Sequence, residues 1–388
     1  MHLLADENIP GVAAWFGDLA TQITTEPGRA FSAQALADAD VLLVRSVTPV
    51  DATLLVQAPK LKFVGSTTIG FDHLDQAALA ARGIPVAWAP GCNAQGVVDY
   101  VLASLLAVLG DTPERLPDLQ VAVIGAGAVG GRLVARLRAL GCSVWVCDPP
   151  RQAAGDPEPE FVDLTQALQA NIVCCHTPLT CNGLWPTMGM LSAEQLLRLP
   201  PNAIVLNAGR GGVLPAAELR QIMRVRPDLK WILDVWDPEP EVPLDLCAQA
   251  RIATGHIAGY SMEGRLRGTQ MIRTALAQAC GYPDSSVCLS SQLPAVAPIE
   301  MDDLGGHPWR QLQQAVMVCC DPWGDDQRFR QAIAQVPAAH RGQAFDAYRR
   351  HYVQQRSPRR ELSSVPTRGR YAASIELCRA AGFAGESV

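Results

Sequence analysis

Residues 121–141 read VAVIGAGAVGGRLVARLRALG, and the segment SVWVCD follows, ending at Asp148. An apolar strand breaks into a glycine turn, a helical pattern starts, and a second apolar strand closes on a carboxylate. Gly125 suits the tight turn, Gly127 allows close backbone approach to a pyrophosphate, and Gly130 lets the helix pack against the strand. The anion meets the helix N-terminus. Asp148 stands where a carboxylate accepts hydrogen bonds from an adenosine ribose. It would repel a 2′-phosphate, so NAD is expected rather than NADP, although Arg151 follows closely. A glycine turn alone is a weak signal. The ordered strand, glycines, helix, strand and terminal Asp predict a dinucleotide-binding unit.

Around this stretch the segments QVAVIG, SVWVCD, NIVCCH, AIVLNA, WILDVW and RIATGH read as six strands of one doubly wound parallel sheet. Before it, HLLA, DVLLVRS, KFVGS and PVAWA read as strands, with helices at FSAQALADA and LDQAALAARG between them. That predicts a second, flavodoxin-like parallel sheet. A long apolar helix over 94–110 would span about 25 Å, enough to cross between two domains. A helix over about 262–282 would return the chain to the first domain. From 286 the texture turns to Ser, Pro and Gly, with further helices at DDQRFRQAIAQ and HRGQAFDAYRRHYVQQR. The expected architecture is therefore α/β. A substrate domain comprises 1–93 plus 262–285, an NAD-binding domain 94–261, and a smaller α+β domain 286–388.

At 388 residues the chain is long enough for two or three cores. It is 48% hydrophobic and 18% charged, as expected of a soluble globular protein. A net charge of −6 argues against general nucleic-acid binding. No apolar run is long enough to predict a membrane span, and the acidic start MHLLADENIP does not read as a signal peptide. The 12 cysteines show neither a paired zinc spacing nor a disulfide framework, so no metal is expected and a reducing cytoplasm is.

Three charged residues follow the predicted strand ends: Arg210 in NAGRGG, Glu239 in DVWDPEP and His256 in GHIAGY. Ligands bind at the carboxyl edge of open α/β sheets. A guanidinium grips a carboxylate through two parallel hydrogen bonds. An imidazole beside a carboxylate takes a hydroxyl proton. Singly, these residues read as a surface arginine, a solvated loop acid and a core histidine. On successive strand ends of one nucleotide domain they predict hydride transfer at a hydroxy acid.

GAGAVG, CHTPLT, NAGRGG, DVWDPEP and HIAGY together resemble the D-isomer-specific 2-hydroxyacid dehydrogenases over about residues 1–285. The resemblance implies that Arg210, Glu239 and His256 are catalytic. It implies that Thr177, Ala208, Gly209, Asp234 and Gly259 contact the cofactor, Asp234 at its nicotinamide end. One departure is Gly209, where a side chain is common; it predicts a looser loop under Arg210.

LADENIP, VRSVT, GSTTIGFDHLD, APGCNA, VCDPPR and HIAGYSMEGRLRGT are similar to a branch of the family that acts on a phosphorylated hydroxy acid. So are DPWGDDQRFR and FDAYRRHY, which extend the likeness over nearly the whole chain. The resemblance implies substrate contacts from Ser46, Thr68 and Tyr260, and a homodimer formed through the C-terminal domain. Ser and Thr hydroxyls suit phosphate or substrate hydroxyls, and Arg45 would add charge. The alternatives are a dehydrogenase acting on a phosphorylated acid one carbon shorter, some other D-2-hydroxyacid dehydrogenase, and a non-catalytic NAD-sensing binding protein.

Overall fold

Five short segments form the first parallel sheet: β1 (His2–Asp6), β2 (Gln22–Glu26), β3 (Val41–Val44), β4 (Phe63–Ser66) and β5 (Val86–Trp88). Their order is β2-β1-β3-β4-β5, the flavodoxin-like winding. β3 and β4 are buried throughout, as strands covered on both faces must be. β2 escapes a reading of apolar runs because QITTE is a half-exposed edge strand. The computed structural model describes residues 1–158, 160–282, 288–355 and 359–385. The expected boundary at 285/286 lies outside the described residues.

By packing, the described chain divides into two units: Met1–Asn93 with Ser261–Ala295, and Ala94–Tyr260 with Val296–Val388. In the first unit, one face of the sheet packs Leu4, Leu42, Val44 and Leu79. The other face packs Leu3, Trp15, Phe16 and Phe63 with Ile272 and Leu276. The last two residues come from the helix Met262–Cys280, whose N-cap Ser261 accepts from Gly264 N. The expected return of the chain to the first unit is thus a helix that completes its core.

The second unit opens with α1 (Ala94–Leu109), which is buried on nearly every face. Being apolar all round, it has no solvent stripe. It lies inside the second unit's core, and the unit boundary falls at its first residue. The sheet comprises β6 (Val121–Ile124), β7 (Val144–Cys147), β8 (Ile172–Cys175), β9 (Ile204–Asn207), β10 (Lys230–Leu233) and β11 (Ile252–Ala253). All pairs are parallel, in the order β11-β10-β9-β8-β6-β7. A single parallel bridge, Val146 to Phe161, stands beside β7 where a doubly wound sheet carries its next strand. The glycine turn leads from β6 into α2 (Gly130–Ala139).

The segment beyond residue 296 adds the helices α3 (Pro308–Cys319), α4 (Pro322–Ala334), α5 (Arg341–Gln355) and α6 (Ala372–Ala380). It also adds a small parallel sheet of β12 (Ile299–Glu300), β13 (Pro366–Arg368) and β14 (Ala384–Gly385). The Ser- and Pro-rich stretch expected to be a linker therefore supplies a strand. These elements do not build a separate core. Leu312, Val316, Phe329, Ile333, Phe345 and Ile375 join the same buried cluster as the dinucleotide sheet. The fold class holds: two parallel α/β sheets with a smaller C-terminal α+β region.

Candidate active site

The glycine turn is shaped as its sequence predicts. Gly125 has φ +82, and a Cβ there would lie 2.8 Å from Thr177 N. A Cβ on Gly130 would collide with the carbonyl oxygen of Gly125, whereas one on Gly127 would meet nothing within 4 Å. The turn is thus packed on one side and open at Gly127, the position where a pyrophosphate approaches. Asp148 Oδ2 accepts from Ala126 N at 2.7 Å and Oδ1 from Arg151 N at 3.1 Å. Arg151 is engaged elsewhere: Nε and Nη2 donate to Asp156, and Nη1 donates to Ala126 O at 2.7 Å. Thr177 Oγ and both ring nitrogens of His176 are shut off from solvent without hydrogen-bond partners among the described residues. Burial holds the His176 imidazole down at about 4. Unpaired donors beside an open glycine turn fit a polar ligand. These residues suit a dinucleotide.

Arg210, Glu239 and His256 follow β9, β10 and β11, which are neighbours in the sheet. His256 Nδ1 and Glu239 Oε2 are 2.9 Å apart. Glu239 Oε1 accepts from Trp236 N at 2.9 Å. Burial pushes the Glu239 carboxyl up, but the adjacent His256, Arg349 and the Trp236 amide outweigh it and hold its pKa below the ordinary value. His256 has φ +57, a conformation that a side-chain-bearing residue keeps only when its surroundings impose it. Asp234 does this here. Its Oδ1 accepts from Thr254 Oγ at 2.6 Å and Ile257 N at 2.8 Å, and its Oδ2 accepts from Ala258 N at 2.9 Å. The Asp234 backbone oxygen also accepts from His256 N at 2.7 Å.

The loop under Arg210 is pinned, not loosened. Asn207 Oδ1 accepts from Gly209 N at 3.1 Å, and Asn207 Nδ2 donates to Arg210 O at 3.0 Å. A Cβ at Gly209 would come within 3.2 to 3.3 Å of the Cys175–Thr177 backbone, so the glycine allows close packing there. Gly211 is tighter still: a Cβ would overlap Trp236 O. The Arg210 loop and the Glu239 loop therefore touch through backbone. Arg210 Nη1 donates to Gly209 O at 3.0 Å. Ala208 is half-buried beside it, and Gly259 is buried in the turn after His256.

The remaining expected residues lie apart in the chain. Ser46 is exposed on the turn after β3. Thr68 follows β4, with Oγ 2.8 Å from Ser66 Oγ, which is itself 2.9 Å from His73 Nε2. Arg45 Nε donates to the buried Asp6 at 3.0 Å. Tyr260, in the second unit, packs its ring 6.1 Å from that of Tyr352. Among the described residues no cluster of His, Cys, Asp or Glu is arranged to hold a metal ion.

Several residues around the dyad were not singled out from sequence. Tyr100 of α1 lies 2.7 Å from Thr254 Oγ and so extends the Asp234 network. Asp326 of α4 accepts from Ala253 N at 2.7 Å. Arg359 donates to Ala258 O. Phe329 stacks on Trp236 with centroids 6.2 Å apart. Arg349 of α5 lies over Tyr260. Asn207 and Thr254 adjoin the motifs and were within reach. The C-terminal residues carry no local signal.

The sequence model of the family described as D-isomer specific 2-hydroxyacid dehydrogenase, catalytic domain, matches residues 7–287. The chain belongs to this family of CH–OH dehydrogenases. It is also 45% identical over 387 residues to a protein of Azotobacter vinelandii strain DJ named erythronate-4-phosphate dehydrogenase, covering 98% of this chain and 99% of that one. A protein of the same name from Pseudomonas aeruginosa strain UCBPP-PA14 is 45% identical over 384 residues, covering 98% and 97%. Among solved structures, the TT0316 protein of Thermus thermophilus is 26% identical, with a TM-score of 0.60, covering 74% of this chain and 99% of that one. The NAD⁺-bound 3-phosphoglycerate dehydrogenase of Entamoeba histolytica shares the fold at 21% identity, with a TM-score of 0.60 and coverage of 74% and 98%.

Proposed function

We propose that this enzyme oxidises 4-phospho-D-erythronate at C2 to (R)-3-hydroxy-2-oxo-4-phosphooxybutanoate, with NAD, in pyridoxal 5′-phosphate biosynthesis. The observation that carries the chemistry is the 2.9 Å His256–Glu239 pair beside the Arg210 loop, on three adjacent strand ends. The substrate rests on the full-length relatives named erythronate-4-phosphate dehydrogenase.

Arg210 holds the C1 carboxylate and the reacting oxygen. His256 donates Nδ1–H to the ionised Glu239, which leaves Nε2 with its lone pair toward the C2 hydroxyl. Nε2 takes that proton as the C=O bond forms, and Glu239 stabilises the resulting imidazolium. Asp234 keeps the His256 turn in its left-handed geometry. NAD, when bound, accepts the hydride from C2. Gly125, Gly127, Gly130, Asp148, Thr177, Ala208, Gly209, Asp234 and Gly259 would hold it. The engagement of Arg151 by Asp156 and Ala126 supports NAD over NADP. Ser46, Thr68 and Tyr260 would contact the substrate, and the C-terminal segment would pair two subunits in a homodimer. Twelve free thiols suit a reducing cytoplasm, and no helix among the described residues is long and apolar enough to cross a membrane.

The test is a comparison of kcat/KM for 4-phospho-D-erythronate and D-3-phosphoglycerate. A preference for the four-carbon acid is expected. A preference for the three-carbon acid, or turnover of neither, overturns the assignment.

A further inference from the structure

In the second unit the acidic groups of the site are committed. Glu239 serves His256 and Trp236 N, and Asp234 serves Thr254 and two backbone amides. One cation beside them is not matched in the same way. Arg349 of α5 places its guanidinium carbon 5.4 Å from the ring centroid of Tyr260 and 5.6 Å from that of Phe345. Its Nε is sealed from solvent without a hydrogen-bond partner among the described residues. Burial works against its charge, but Tyr260, Glu239, Asp234 and Asp346 keep its pKa above the ordinary arginine value. A buried guanidinium N–H without an acceptor costs stability, and its place in a site needs a reason.

The proposed substrate supplies one. It carries two anionic ends, and Arg210 accounts only for the carboxylate. A guanidinium matches a phosphate through two parallel hydrogen bonds. Tyr260, over which Arg349 lies, comes four residues after the catalytic imidazole. Arg45, the cation singled out from sequence, gives its Nε to Asp6. Arg349 also lies beyond residue 287, where the family match ends, in the stretch shared with the full-length relatives. We propose that Arg349 binds the phosphate of the 2-hydroxy acid, making α5 part of the specificity site. This rests on the substrate reading above.

The experiment compares 4-phospho-D-erythronate with unphosphorylated D-erythronate in the full-length protein, its Arg349→Met variant and its Arg349→Lys variant. NADH titration by fluorescence checks that each variant is folded. Arg349→Met should lose about 100-fold in kcat/KM for the phosphorylated acid, mostly through KM. Its loss on D-erythronate, which carries no phosphate, should be at least about tenfold smaller. Arg349→Lys should recover part of the loss, and competitive inhibition by inorganic phosphate should weaken in Arg349→Met. A parallel fall on both acids assigns Arg349 to positioning Glu239 and overturns the proposal, as does no change on either. Failure of the wild type to oxidise 4-phospho-D-erythronate instead overturns the substrate reading itself.

Discussion

The glycine turn and the His256–Glu239 dyad belong to one unit but are built differently. The turn is local: Asp148 reaches Ala126 across 22 residues, and its shape comes from missing side chains. The dyad is held from far away in sequence. Arg359 ties Ala258 from 101 residues downstream, Phe329 backs Trp236, and Asp326 closes the edge of β11. A cofactor loop needs little beyond a strand, a turn and a helix. An imidazole at positive φ needs a packed surround, and the C-terminal helices supply it. The two regions should therefore respond separately to substitution.

The sharpest separation comes from His256→Ala. Loss of the proposed general base should lower kcat by about 10²- to 10⁴-fold and leave the NADH dissociation constant unchanged in a fluorescence titration. A parallel loss of NADH affinity would show the two regions to be coupled. Next in size is Phe329→Ala. Phe329 is fully buried against Trp236, Phe345 and Tyr348, and such truncations cost about 3–5 kcal/mol. The urea midpoint should fall, and kcat should drop more than KM for NAD rises. Activity per folded molecule equal to wild type would mean that the helices stabilise the unit without shaping the dyad. Gly127→Ala tests the other region. Its Cβ meets nothing in the protein, so the urea midpoint should hold while KM for NAD rises about tenfold through lost backbone approach. An unchanged KM would remove Gly127 from the cofactor site.

The same contrast explains what could be read in advance. Six strands of the second sheet and four of the first were legible because buried parallel strands are continuous apolar runs. β2 was not, because QITTE is half-exposed. The dyad's residue types and strand-end places were legible. Its support was not, because Arg349, Arg359 and Phe329 lie in C-terminal stretches whose patterns say nothing of what they touch. Gly209 shows the limit of comparison by pattern alone. It looked like slack in the Arg210 loop, yet the Asn207 side chain binds both sides of that residue.

The smallest effect lies between the two regions, at His176. Its ring nitrogens are sealed and unpaired beside Thr177. Burial holds its folded value at about 4, against an ordinary 6.5. The unfolded chain therefore binds this proton first as pH falls. The contribution of His176 to stability is fully present above about 6.5. It declines by at most about 1.4 kcal/mol per pH unit toward pH 4 and is constant below that. His73, also held at about 4 by burial, acts in the same sense. Asp99 acts oppositely: burial raises it to about 6, so its contribution is lost as pH rises from about 3.8 to about 6. The wild-type slope is thus a sum, and His176→Asn isolates one member. Between pH 6.5 and 4 the variant's urea midpoint should fall less steeply than that of the wild type. Parallel curves would mean that the imidazole finds a proton acceptor in the folded state.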